Sequence, residues 1–290
     1  MTVHIHRTIR EDLIRAKLLF NAAGNQYKAG VSYETKLDDT IYGATGEVNV
    51  WNPYVHQDQF SSAEIALQSG SGEQINVIKF GWTVNSQLYG DNVTRGFAYW
   101  TNDGGSKTGC YNTLCRGFVQ VHSKYTPDMP FIETSKVGGV QVIFNAQIAV
   151  VSNPKTAPGN QAEEDACDVM VRDNVEGKWW LTLQNNIRIG YWPKLLFPAF
   201  SPVVASIFWG GRVKSGVDGM SPPMCSGQPI ENHFVDAGYI GFLQYADVNN
   251  FYKKPVKTES IIDCSEHYTA AYYPDLNNVF FGGSGGANCF

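Results

Sequence analysis

Gln141-Val142-Ile143-Phe144-Asn145-Ala146-Gln147-Ile148-Ala149-Val150 repeats with a period of two: Val142, Phe144, Ala146, Ile148 and Val150 share one face, with Gln141, Asn145 and Gln147 opposite. Successive side chains of an extended chain point to opposite sides, so this pattern makes a strand with one buried face. Val48 and Val50 alternate with Glu47 and Asn49 in the same way. Strands of this kind, separated by Gly, Asn and Pro turns, predict an all-β fold of antiparallel sheets packed as a sandwich. Helical periodicity is clear only near the start. Ile9, Leu13, Ala16 and Phe20 recur at helical spacing, and Thr8 with Glu11 forms a capping-box pattern, predicting an amphipathic helix over residues 8–20. Residues 21–40 read as a linker, dividing the chain into 1–40 and a β domain over 41–290.

The chain has 290 residues, 43% of them hydrophobic and 17% charged, enough to bury a substantial core in one large domain. A net charge of −5 with no basic run argues against a nucleic-acid partner. No apolar stretch approaches the length of a membrane span, so no membrane partner is expected. Met1-Thr2-Val3-His4-Ile5-His6 is polar and holds no signal-peptide core, which suggests that the start has been trimmed or replaced. The expectation of secretion, extracellular or vacuolar, rests on six cysteines, an even number suited to three disulfides in an oxidising compartment. Asn92-Val93-Thr94 is a glycosylation acceptor pattern consistent with that route.

Other motifs are less telling. There is no C-x-x-C pair, and His233 and His267 lack ligand spacing, so no zinc site is expected. No nucleotide, flavin or metal motif is recognisable, and no cofactor is expected. Gly282-Gly283-Ser284-Gly285-Gly286 resembles a phosphate loop but lacks the following Lys and helix, and reads as a flexible turn held by Cys289. Residues 152–168 are turn-rich and read as a surface loop, with a lid over a cleft as the alternative. Trp82, Trp100, Trp179, Trp180, Trp192 and Trp209 read as core and cleft wall, and alternation lets only some of them face a groove.

Ile78-Lys79-Phe80-Gly81-Trp82-Thr83-Val84 is followed by Leu88-Tyr89-Gly90-Asp91-Asn92 and Tyr99-Trp100-Thr101-Asn102-Asp103-Gly104. Then come Gly109-Cys110-Tyr111-Asn112 with Cys115, Gly117-Phe118-Val119-Gln120-Val121, Trp179-Trp180-Leu181 and Gly190-Tyr191-Trp192-Pro193. Trp209-Gly210-Gly211-Arg212-Val213 and Ser221-Pro222-Pro223-Met224-Cys225-Ser226-Gly227 complete the series. Together these resemble the neprosin family of plant glutamic endopeptidases over roughly residues 41–290. The resemblance implies that Cys110 pairs with Cys115 and Cys264 with Cys289, and that the 8–20 helix is the tail of an activation segment. Cys225 stands where the family usually has Gly, and Cys167 lies in a stretch longer than the family's. A third bridge between these two is the preferred reading, with Cys225 as a nucleophile beside the cleft as the alternative.

In that alignment one catalytic glutamate precedes the Ala-Gly-Trp of the first segment and the other follows the Trp-Gly-Gly of the second. Here those places hold Lys79 and Arg212. A glutamic peptidase needs groups that trade a proton near working pH, and a guanidinium keeps its proton in a protein. The resemblance thus implies a lost peptidase chemistry. It also places Gly81 and Gly210 in the cleft, two positions from each base, where small residues leave room for a ligand. The same parity sends Trp82 and Trp209 to the other face. Glu47 and Glu64 match no catalytic position of the family and read as ordinary strand residues.

Two cations as near as the family's glutamates would repel by about 4 kcal/mol at about 4 Å and an effective dielectric near 20. An anion relieves this, or Lys79 gives up its proton and becomes a base or an imine-forming nucleophile. The expected function is a cofactor-free enzyme for a small anionic or carbonyl-containing molecule, performing a cyclisation, condensation, isomerisation or elimination as in plant specialised metabolism. The alternatives are a non-catalytic binding or inhibitory protein, for which a protein partner is open, and a residual prolyl-type endopeptidase.

Overall fold

The computed structural model describes residues 25–35, 40–150, 177–184, 186–201, 204–230, 236–287 and 289. The 8–20 helix, Cys167, His233 and the 152–168 loop lie outside these residues.

Two antiparallel sheets make up the fold. The first is built on β1 (Gln26–Glu34), β3 (Phe60–Ser69), β4 (Asn76–Val84), β5 (Arg95–Thr101), β6 (Cys110–Tyr111), β11 (Ser206–Lys214) and β14 (Glu259–Ile262), in the order β14-β1-β11-β3-β4-β5-β6. The second contains β2 (Gly43–Asn49), β7 (Val119–Gln120), β8 (Ile143–Val150), β9 (Lys178–Leu183), β10 (Ile187–Pro193), β12 (Gly238–Ala246), β15 (Thr269–Tyr273) and β16 (Asn278–Gly282). Its order is β15-β16-β12-β2-β8-β9-β10-β7, and β13 (Tyr252–Lys253) pairs with β12. No helix among the described residues is long and apolar enough to cross a membrane.

The expected all-β sandwich is the observed architecture. Phe144, Ala146, Ile148 and Val150 turn into the core as the alternation in β8 predicts, while Ile143 is exposed. Phe80 of the first sheet meets Phe144 of the second edge-on at 6.0 Å between centroids, and Tyr33 stacks on Tyr245 at 5.0 Å. Trp82 and Trp209 are both fully buried. A buried indole N–H needs an acceptor. Each reaches across to the region of β2: Trp82 Nε1 donates to the Asn49 carbonyl at 2.7 Å and Trp209 Nε1 to that of Thr45 at 3.2 Å. These bonds clamp the two sheets together and fix which face of β4 and β11 is left for other work.

Two sequence readings change. Asn49, read as an outward polar residue, is fully buried, because the segment 135–142 covers that end of β2. Its Nδ2 donates to Ser135 Oγ at 2.9 Å and to the Val142 carbonyl at 3.2 Å. The glycine-rich tail is also pinned in place: Gly283 bridges to Met224 and Gly286 to Ser221. Gly283 has φ 149°, and a Cβ there would lie 1.9 Å from the His267 carbonyl oxygen. Close backbone approach accounts for glycine at that position.

Disulfides join Cys110 to Cys115 and Cys264 to Cys289. Cys225 is buried with a free thiol among the described residues, and burial pushes its pKa well up, leaving it poorly suited to act as a nucleophile. Asn92 is exposed, whereas Thr94 of the same acceptor pattern is buried and donates its hydroxyl to the Trp51 carbonyl at 2.8 Å.

A buried carboxylate between two cations

Because residues two apart on a strand share a face, the strand register of the first sheet decides which side chains meet. On the face away from the core, Glu64 at the middle of β3 is flanked by Gly81 on β4 and Gly210 on β11. Lys79 is paired with Ala66 and Arg212 with Ser62, so the two bases sit diagonally on opposite sides of Glu64. With no side chain at either flanking glycine, both bases lean across to the carboxylate.

Arg212 Nε donates to Glu64 Oε1 at 2.7 Å. Lys79 Nζ lies 3.2 Å from Oε2, an ion pair without good hydrogen-bond alignment, and no hydrogen-bond donor otherwise satisfies that oxygen among the described residues. Glu64 is 0% exposed and Lys79 9%. Lys79 also lies over the Tyr99 ring, 5.1 Å from its centroid, and Tyr99 is tilted against Tyr111 at 4.8 Å. Lys28 on β1 is directly paired with Arg212 and lies over the Phe208 ring at 5.8 Å.

Burial pushes the Glu64 carboxyl up, but the charges of Arg212 and Lys79 overcome it and hold the group below its usual value. Burial, reinforced by the Arg212 charge, lowers Lys79 to about 8 against the opposing pull of Glu64. Burial raises the Tyr99 hydroxyl to about 12. At neutral pH the centre is therefore a carboxylate held by two cations, with one cation close to giving up its proton.

This arrangement brings Lys79, Arg212, Gly81 and Gly210 to one face, and it corrects two expectations. The bases do not confront each other unbuffered, because a carboxylate of the chain itself lies between them. Glu64 is consequently no ordinary strand residue. The signal for it was in the sequence: Phe60-Ser61-Ser62-Ala63-Glu64-Ile65-Ala66-Leu67 carries a single charge in an otherwise apolar or small strand, and a charge there needs partners. Glu47, by contrast, is half-buried on β2. Lys28 had no sequence signal, because its place depends on β1 pairing with a strand far along the chain.

Two cavities lie elsewhere. The larger, about 500 Å³, is bounded by Trp51, Pro53, Thr134, Lys136, Cys225 and Gln228 among others. The smaller, about 290 Å³, is bounded by residues that include Tyr54, His56, Ser86 and Asn92.

Two solved structures of scytalido-glutamic peptidase, one with a peptide-based transition state analog and one with a transition state analog inhibitor, are similar to this chain. Each has a TM-score of 0.45 and covers 89% of this chain and 98% of that one, at 8% and 9% sequence identity respectively. The family model described as Neprosin matches residues 57–284, a span that contains Glu64, Lys79 and Arg212 and most of both sheets. The chain therefore belongs to the neprosin family.

Proposed function

We propose that this neprosin-family chain is a cofactor-free enzyme acting on a small anionic or carbonyl-containing molecule, with Lys79 moving a proton and Arg212 stabilising negative charge. The observation that carries this reading is the convergence of Lys79 and Arg212 on the buried Glu64. Neutral Lys79 would take a proton from the carbon beside a substrate carbonyl. The C–H electron pair moves into the enolate, whose negative charge is stabilised by the nearby positive charge of Arg212, and the proton is afterwards returned or passed to a leaving group. Glu64 keeps both bases oriented and stabilises the ammonium once it forms. Cyclisation, condensation, isomerisation and elimination each have a route that starts from such an anion.

Carboxylate-pair peptidase chemistry fits poorly with this centre. Glu64 has both oxygens facing cations and a depressed pKa, so it is a weak base and a poor proton donor near neutral pH. A second reading, a non-catalytic binding protein, is favoured by the complete burial of Glu64.

The two readings separate in a proton-exchange experiment with levulinate, a ketone that also carries a carboxylate. In D2O, followed by NMR, the wild-type chain is expected to accelerate exchange at the carbons beside the ketone, and Lys79→Met to return it to the background rate. Equal rates for the two proteins would favour the binding-protein reading. Borohydride trapping of an adduct on Lys79 would replace the base by an imine-forming amine.

A further inference from the structure

Lys28 and Arg212 are register partners on adjacent strands and project from the same face. Like charges placed directly opposite each other across a strand pair destabilise the sheet. Neither is fully neutralised by what surrounds it. Arg212 uses Nε on Glu64, and its two terminal nitrogens have no acceptor among the described residues. The Lys28 ammonium makes no ion pair among the described residues. Asp263, its neighbour on the other side, accepts the Lys28 backbone N–H at 2.9 Å through Oδ2. Among the described residues this leaves three cations, Lys28, Lys79 and Arg212, around Glu64, with the Asp263 carboxylate held on the Lys28 backbone.

We infer that Lys28 and Arg212 form a carboxylate-binding site at the edge of the triad, and that the small molecule taken by this face is a monocarboxylate with a flat apolar body. The remaining guanidinium edge offers the parallel pair of donors that fits a planar carboxylate, with Lys28 as the second charge. Phe208, beneath the Lys28 ammonium, supplies an apolar floor. A monocarboxylate with a flat apolar body is favoured over inorganic phosphate because its body can lie on the Phe208 ring, a contact that phosphate cannot use. This assignment rests on the proposed small-molecule reading and makes Lys28 the residue that selects the ligand's charge.

Calorimetric titration of the full chain with benzoate, benzamide and inorganic phosphate tests it. Benzoate is expected to bind at least tenfold more tightly than either of the others. Lys28→Gln should weaken benzoate about tenfold, and Lys28→Arg should restore it. Lys79→Met should still bind benzoate even if all proton exchange is lost, so failure of this inference is distinguishable from failure of the catalytic reading. Benzamide or phosphate binding as well as benzoate, benzoate binding unaffected by Lys28→Gln, or absence of benzoate binding at millimolar concentration would each overturn the assignment.

Discussion

Arg212 Nε and Glu64 Oε1 lie 2.7 Å apart on adjacent strands, with the Glu64 side chain almost wholly out of water. A buried ion pair gains little over well-packed apolar groups, but removing one member strands the other. Here a single carboxylate serves two cations. It is the member whose loss leaves most charge uncompensated.

Glu64→Leu should therefore destabilise the fold by about 3–5 kcal/mol. Replacing all three members by apolar residues, Glu64→Leu with Lys79→Met and Arg212→Met, should recover most of that loss. Equilibrium urea unfolding with the disulfides intact checks both. A single variant as stable as wild type would mean that the cations find other partners.

The Lys79 titration gives a signed pH dependence. Its folded pKa of about 8 is below that of an ordinary lysine. Below pH 8 the ammonium is charged in both states and its burial cost is fully present. Between about 8 and about 10.4 the unfolded chain binds more protons, so this group makes stability rise with pH, by on the order of 3 kcal/mol. Cys225, raised by burial, gives the opposite slope above its unfolded value. The quantity to measure is thus the difference between wild type and Lys79→Met, which should grow in favour of wild type across this window.

Glu64 has the opposite linkage. Its depressed carboxyl contributes stability that is present above its unfolded pKa and is lost as pH falls through the folded value. Acid unfolding monitored by tryptophan fluorescence should shift to higher pH in Arg212→Met, which removes the first charge holding Glu64 ionised. An unchanged acid midpoint would count against that coupling.

The flanking glycines are steric requirements. A Cβ at Gly81 would lie 1.9 Å from the Ala63 carbonyl oxygen, and one at Gly210 would lie 2.4 Å from that of Ala29. Gly81→Ala and Gly210→Ala should each cost about 1–3 kcal/mol in thermal or urea unfolding. Substitution without cost at either position would show that the strands can separate enough to accept a side chain.

Proline-containing peptides should remain uncleaved at acidic pH, because Glu64, the carboxylate at the centre among the described residues, is held ionised by two cations. Mass spectrometry of digests checks this. Cleavage that disappears in Glu64→Gln would restore a peptidase reading.

Alternation in β8, the spaced glycines and the tryptophan-rich segments determined the all-β class and the family, since these are local patterns that a strand imposes on its own sequence. The same parity sent Trp82 and Trp209 inward and left Lys79, Gly81, Gly210 and Arg212 on the other face. What period two cannot supply is register between strands far apart in the chain. β3 lies between β4 and β11, and β1 lies beside β11, only because the sheet assembles in that order. That order alone puts Glu64 between two cations and Lys28 opposite Arg212. The sequence by itself determined which side chains could share a face. Only the tertiary structure decided which of them touch, because ion pairing depends on distances across strands and on burial, neither of which is local.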